Sequence, residues 1–200
     1  MSEINLERKV MRISIIGDSS TGKSSLVHVY LGNEFTYDMV SNIGLDKQSI
    51  VKEMKDGNKI KIIFWDTAGQ ERFRSLSSGT IKNSQGIIVC FALDNKKSFK
   101  NVVSWLNDVR ETSTKIPVVL FGNKCDLVDT RQVTKKEIDQ FVSDNDLVYF
   151  ETSAKDNINL EEGFTKIFED AYANIVEENA KFELKRKKEE EENKKRKKKC

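Results

Sequence analysis

Two hydrophobic rhythms alternate along this chain. Short apolar runs recur at Val10 to Ile16, where Arg12 and Ser14 interrupt, at Ile87 to Leu93, which is continuous, and at Val118 to Phe121 and Leu147 to Phe150. Runs of that length with little polar alternation suit strands covered on both faces. Between them lie stripes at helical spacing. Leu26, Val27, Tyr30 and Leu31 form the first, and Phe99, Val102, Val103, Leu106 and Val109 the second. Ile138, Phe141 and Val142 follow, opened by Thr134-Lys135-Lys136-Glu137, a capping box. Leu160, Phe164, Ile167, Phe168, Ala171, Tyr172 and Ile175 make the last stripe. One strand pair differs. A weak strand ends near Met54, Asp56-Gly57 marks a tight turn, and Ile60, Ile62 and Phe64 alternate on the returning strand. Residues 32–46 show no period and read as an exposed loop. Strands alternating with helices, plus one antiparallel edge hairpin, predict an α/β three-layer sandwich around a six-stranded, mostly parallel sheet. Ligands of such sheets bind at the carboxyl ends of the strands.

Length and charge refine this picture. Two hundred residues suit one domain, residues 1–176, followed by a charged tail, residues 177–200. Net charge is +2, yet residues 181–200 hold eleven Lys or Arg against five Glu, leaving −4 for the rest. A mildly acidic domain argues against nucleic acid as a partner. Lys185 to Lys188, the four glutamates that follow and the basic run from Lys194 are compatible with a solvated helix laced by Glu–Lys pairs four apart. Cys90, Cys125 and Cys200 are too few and too unpatterned for a disulfide framework, which suits a reducing compartment. No apolar leader precedes the first strand, and no apolar run approaches a membrane span. The expectation is a cytoplasmic protein, monomeric and free of nucleic acid.

The chemistry begins at Gly17-Asp18-Ser19-Ser20-Thr21-Gly22-Lys23-Ser24, which fits G-x-x-x-x-G-K-[ST] between a strand and a helix. Glycines let successive backbone N–H groups converge on a phosphate chain, and the helix N-terminus adds partial positive charge. Ser19, Ser20, Thr21, Gly22, Lys23, Ser24 and Ser25 form the expected cradle, with Lys23 on the β- and γ-phosphates and the Ser24 hydroxyl on Mg²⁺.

Three further loops follow strands. In Trp65-Asp66-Thr67-Ala68-Gly69-Gln70, Asp66 suits Mg²⁺, usually through water, Gly69 suits a close γ-phosphate contact, and Gln70 suits orienting a water for in-line attack. In Asn123-Lys124-Cys125-Asp126, the carboxylate of Asp126 offers two adjacent acceptors. Guanine presents two adjacent donors to it; adenine does not, and pays for an unpaired buried group. The stem of Lys124 suits covering one face of the base. Thr152-Ser153-Ala154-Lys155 suits a backbone donor to the guanine carbonyl. An ATPase is thereby disfavoured.

These motifs resemble those of the small GTPases of the Ras superfamily, and within it the Rab family, over residues 8–176. Trp65 to Leu76, Ile43 to Asp46, Asn123 to Leu127 and Glu151 to Lys155 are Rab-like. The resemblance implies the P-loop small GTPase fold, GTP/GDP and Mg²⁺ as cofactors, Phe35 against the guanine, and switches at residues 37–46 and 67–82. It also implies exchange factors, activating proteins and effectors as partners. The chain departs from the family at several points. Asn42 stands where a Thr binds Mg²⁺, and Met39 where Rab proteins usually have Tyr. Lys47 stands where the effector signature ends in Phe, and Thr80-Ile81 replace an aromatic pair. Most Rab proteins end in two cysteines; here Cys200 is the single candidate for a prenyl group, and no C-a-a-X box is present.

The expected function is a GTP/GDP switch of vesicle traffic that hydrolyses GTP slowly, since no Arg is placed as a finger in cis. The competing expectation is a non-hydrolysing nucleotide-bound module. The longer amide of Asn42 would weaken Mg²⁺ coordination and leave the first switch open, lowering the differential affinity that drives switching.

Overall fold

The computed structural model describes residues 10–37, 47–66 and 79–197. Six strands form one sheet: β1 Val10–Ile16, β2 Lys47–Glu53, β3 Lys59–Asp66, β4 Gly86–Ala92, β5 Val118–Asn123 and β6 Val148–Glu151. Helices α1 Lys23–Tyr30, α2 Lys96–Thr112, α3 Lys135–Asn145 and α4 Leu160–Lys197 accompany them, with a 3-10 turn at Val128–Thr130. Strand order is β2-β3-β1-β4-β5-β6, antiparallel between β2 and β3 and parallel elsewhere. The expected architecture is therefore the one formed. The chain leaves β1 toward the β3 edge and returns at β4 on the other flank. The carboxyl end of β1 thus lies where the winding reverses, the usual ligand crevice of such sheets.

Period-2 geometry explains why β4 is apolar throughout. Ile88 and Cys90 join Met11, Ile13, Ile15, Phe64, Phe121 and Phe164 beneath α1 and α4. Ile87, Val89 and Phe91 face the opposite way, packing with Val102, Trp105, Leu106, Leu120 and Ile138 beneath α2 and α3. Both faces are covered, so every side chain of β4 is buried. At the β2 edge the alternation reappears: Ile60, Ile62 and Phe64 are buried while Lys59 and Lys61 are exposed. The hairpin closes at Gly57, whose φ is +81°, with Met54 N–H donating to the Asn58 carbonyl at 2.9 Å.

The capping box of α3 forms as its sequence predicts: the Thr134 hydroxyl accepts from the Glu137 N–H, and the Glu137 carboxylate accepts from the Thr134 N–H. Glu137 also meets the Lys96 ammonium from α2. Lys96 and these capping bonds lower the Glu137 pKa from about 4.5 to about 2. A carboxylate with a depressed folded-state pKa contributes stability above its unfolded pKa, and that contribution is lost as pH falls through the folded value. Glu137→Gln is therefore expected to flatten the acid limb of stability between about pH 4.5 and pH 2, measured by denaturant unfolding at stepped pH.

Helix α4 packs through Leu160, Phe164, Ile167, Phe168, Ala171 and Tyr172, then runs on past Val176 without a break. Its outer part is held by exposed pairs such as Lys181–Glu177 at 2.5 Å and Arg186–Glu190 at 3.5 Å. Each such pair is worth roughly 0.3–0.5 kcal/mol. The border between residues 176 and 177 thus falls inside one helix.

Candidate functional site

The loop after β1 is shaped by close approaches. Gly17 has φ +140°, and a Cβ there would stand 2.0 Å from the Cys90 carbonyl oxygen. Gly22 has φ +89°, and a Cβ there would stand 2.3 Å from Asn123 Nδ2. Any side chain at either position would push the loop off the strand ends. Gly22 is also the N-cap of α1, with no side-chain cap and no acid in the first turn. A helix start of that kind presents its N–H groups to an anion. Lys23 is 5% exposed, its ammonium donating to the carbonyls of Gly17 at 3.0 Å and Asp18 at 2.7 Å. Ser20 adopts φ +60°, and Ser19 and Ser20 are exposed while Ser24 and Ser25 are half-buried at the helix start. The donor set fits a phosphate chain: one buried ammonium, an uncapped helix start, and glycines where nothing larger fits.

Three loops converge on this one. Asn123, 2% exposed at the end of β5, donates from Nδ2 to the Thr21 carbonyl at 2.8 Å and accepts from Thr152 Oγ1 at 3.4 Å. It ties the phosphate loop, the β5 loop and the β6 loop together. Asp126 is half-buried and accepts from the fully buried Ser153 hydroxyl at 2.6 Å. The same hydroxyl accepts from the Asp156 N–H at 3.0 Å, so its proton is directed at Asp126. Lys124 takes φ +66° and pairs with Asp94 at 3.2 Å. Ala154 is buried, and Lys155 is exposed with its ammonium 5.7 Å from the Tyr37 ring centre. Tyr37 meets Phe35 edge-on at 5.2 Å, which brings Phe35 and the β6 loop to one rim. Burial, then Asp126 and Glu151, push the Cys125 thiol up.

Met39, Asn42, Gly69, Gln70 and Cys200 lie outside the described residues, as does the side chain of Asp66, whose backbone closes β3. Among the described residues no three His, Cys, Asp or Glu side chains gather to hold a metal. A Mg²⁺ site using one hydroxyl, one carboxylate and nucleotide phosphates needs no such cluster.

Sequence reading missed several members of the site. Asp18 accepts from Asn101 Nδ2 at 2.6 Å and Trp105 Nε1 at 2.9 Å, both on α2. Asp94 braces Lys124, and Thr152 braces Asn123. Asn101 and Trp105 are four apart, two N–H donors on a helix whose buried side chains besides Trp105 are Ser98, Val102, Leu106 and Val109. That spacing is a signal, but it names no partner.

A doubly wound sheet whose first strand runs into Gly17-x-x-x-x-Gly22-Lys23-Ser24 and an uncapped helix start defines a P-loop nucleotide-binding protein. The sequence model of the Ras family matches residues 12–173. Ras-related protein Rab-39A of Homo sapiens is 40% identical over 167 residues, spanning 80% of this chain and 77% of that protein. Ras-related protein Rab-8B of Homo sapiens is 36% identical over 162 residues, spanning 80% and 78%. Rab-8A of Bos taurus is 35% identical over 167 residues, spanning 83% and 80%. The chain belongs to the Rab-type small GTPases of the Ras family. It is a GTP-binding switch of vesicle traffic that hydrolyses GTP, with GTP/GDP and Mg²⁺ as cofactors. This kinship does not favour the non-hydrolysing module. Exchange factors, activating proteins and effectors are its classes of partner, and proteins of this kind are cytosolic and membrane-associated.

Proposed function

We propose that residues 1–176 form the GTP-binding unit and that its nucleotide is held by the convergence just described. In this reading Ser19 to Ser25 and Lys23 take the phosphates, Phe35 and Lys124 flank the base, Asp126 reads it, and Ser153 to Lys155 close over its carbonyl side. Asn123 acts mainly as a brace, because its amide is spent on Thr21 and Thr152. Ser24 and Asp66 serve Mg²⁺, with Asn42 where the family Thr would be, while Gly69 and Gln70 serve the γ-phosphate and the attacking water. The observation that supports it most is the Ser153–Asp126 contact at 2.6 Å, which holds the carboxylate in one orientation. A single-turnover assay with GTP, with and without cell extract, tests the reading. Slow hydrolysis accelerated by extract is expected, as for a switch whose catalytic charge a partner completes. Bound GTP that stays intact both with and without extract would overturn the reading.

The tail, residues 177–200, supplies the membrane address in this proposal. No helix among the described residues is long and apolar enough to cross a membrane. A prenyl thioether on Cys200 and the basic run from Lys194 to Lys199 would act together. One chain anchors marginally, and a chain plus a basic patch holds. Each basic residue near an anionic surface adds up to about 1 kcal/mol. Cys200→Ser is expected to move most of the protein from membrane pellet to supernatant in host-cell fractionation. An unchanged distribution, with mass spectrometry finding Cys200 unmodified in the wild type, would remove the anchor.

A further inference from the structure

We infer that Asn101 and Trp105 are positioning residues for nucleotide binding, holding the Asp18 carboxylate on α2 so that it does not oppose the phosphates. This deepens the phosphate-cradle reading of Gly17 to Ser24 and rests on it. A carboxylate inside a loop built to bind polyphosphate is an electrostatic liability. Here each of its oxygens is engaged: Oδ2 accepts from Asn101 Nδ2 at 2.6 Å, and Oδ1 from Trp105 Nε1 at 2.9 Å. Both donors come from α2, a separate element more than 80 residues along the chain. Trp105 is 4% exposed, and an indole N–H only donates, so an acceptor must be brought to it. A charged acceptor makes the stronger bond, which suits Asp18.

The same residue faces both ways. While its carboxylate is held on α2, its backbone carbonyl accepts from the Lys23 ammonium at 2.7 Å. Freed from α2, the side chain could turn toward the cradle and repel bound phosphate, or draw the ammonium away from it. Either motion lowers nucleotide affinity. A purely structural clamp would instead loosen α2 with no dependence on the charge at position 18, so coupling through that charge separates the two roles.

The test is the release rate of a fluorescent GDP analogue from the full chain in Mg²⁺. Trp105→Phe keeps the ring and removes the N–H; Asn101→Leu removes the other donor on a half-buried side chain. Each should speed release severalfold and the pair about tenfold, the scale of one charge acting over a few ångströms at the protein surface. In an Asp18→Asn background, which keeps an amide oxygen for an α2 donor but carries no charge, the same substitutions should change the rate by less than about twofold, because the charge they restrain is gone. Acceleration of equal size in that background, or no acceleration with Asp18 present, overturns the inference. If Trp105→Phe fails to fold, Asn101→Leu in the two backgrounds decides alone. A wild-type chain that binds no GDP refutes the phosphate-cradle reading itself, whereas tight binding without coupling refutes only this clamp.

Discussion

Lys23→Ala is expected to weaken GDP and GTP binding by about a hundredfold or more, because it removes the buried positive charge of the cradle. The ammonium is held by the Gly17 and Asp18 carbonyls at 3.0 and 2.7 Å, so it waits in place with little side-chain entropy left to lose. Charge-assisted bonds to phosphate are about twice as strong as neutral ones. Alanine leaves the glycine geometry of the loop intact, since Gly17 and Gly22 set it against Cys90 and Asn123. The loss should therefore fall on affinity while the fold survives. Equilibrium titration of a fluorescent GDP analogue, with circular dichroism on the same sample, checks both. Ser24→Asn should also weaken binding, most visibly in the Mg²⁺ dependence. Unchanged affinity in both variants would remove the phosphate role from this loop.

Asp126→Asn should exchange guanine for xanthine preference. An ionised carboxylate accepts two bonds side by side, whereas an amide accepts at one atom and donates at the other. Guanine places a donor where xanthine places an acceptor, so the substitution mismatches one base and matches the other. Sites built on buried polar pairing reject the wrong partner strongly, and a loss of GDP affinity of about a hundredfold or more is expected. The Ser153 hydroxyl, 2.6 Å from Asp126 Oδ1 and held by the Asp156 N–H, keeps this side chain in one orientation. Competition between GDP and xanthosine diphosphate for the labelled nucleotide decides the matter. A folded Asp126→Asn variant that gains no xanthine nucleotide binding would take base recognition away from Asp126.

The parts of this protein that were legible in the sequence share one property: each is written in residues near one another. The capping box of Thr134 and Glu137 spans four residues and forms as read. Asp56-Gly57 turns the hairpin because glycine takes φ +81° without strain. The apolar run of β4 announces a strand buried on both faces, and β4 is one. The phosphate loop is legible because eight consecutive residues carry the glycines, the lysine and the hydroxyl that such a cradle requires. The hairpin and the order of apolar stripes also determine a mostly parallel six-stranded sheet, since short crossovers leave few alternatives.

Tertiary structure alone decided which side chains brace those motifs. Asp18 reaches Asn101 and Trp105, Asn123 reaches Thr21, Lys124 reaches Asp94, and Ser153 reaches Asp126. These partners are separated by 83, 87, 102, 30 and 27 residues respectively. Nothing in the local pattern of either member specifies the other. They meet because β1, β4, β5 and β6 are parallel neighbours whose carboxyl ends share one edge of the sheet. The outer half of α4 is the complementary case. Its composition fits a loose tail or a helix equally well, and the helix runs to Lys197 because a packed first half supplies the nucleus that an isolated charged segment would lack. The sequence thus determined the chemical groups of the motifs and the fold that carries them, while the packed sheet determined which side chains meet across the strand ends and hold one another still.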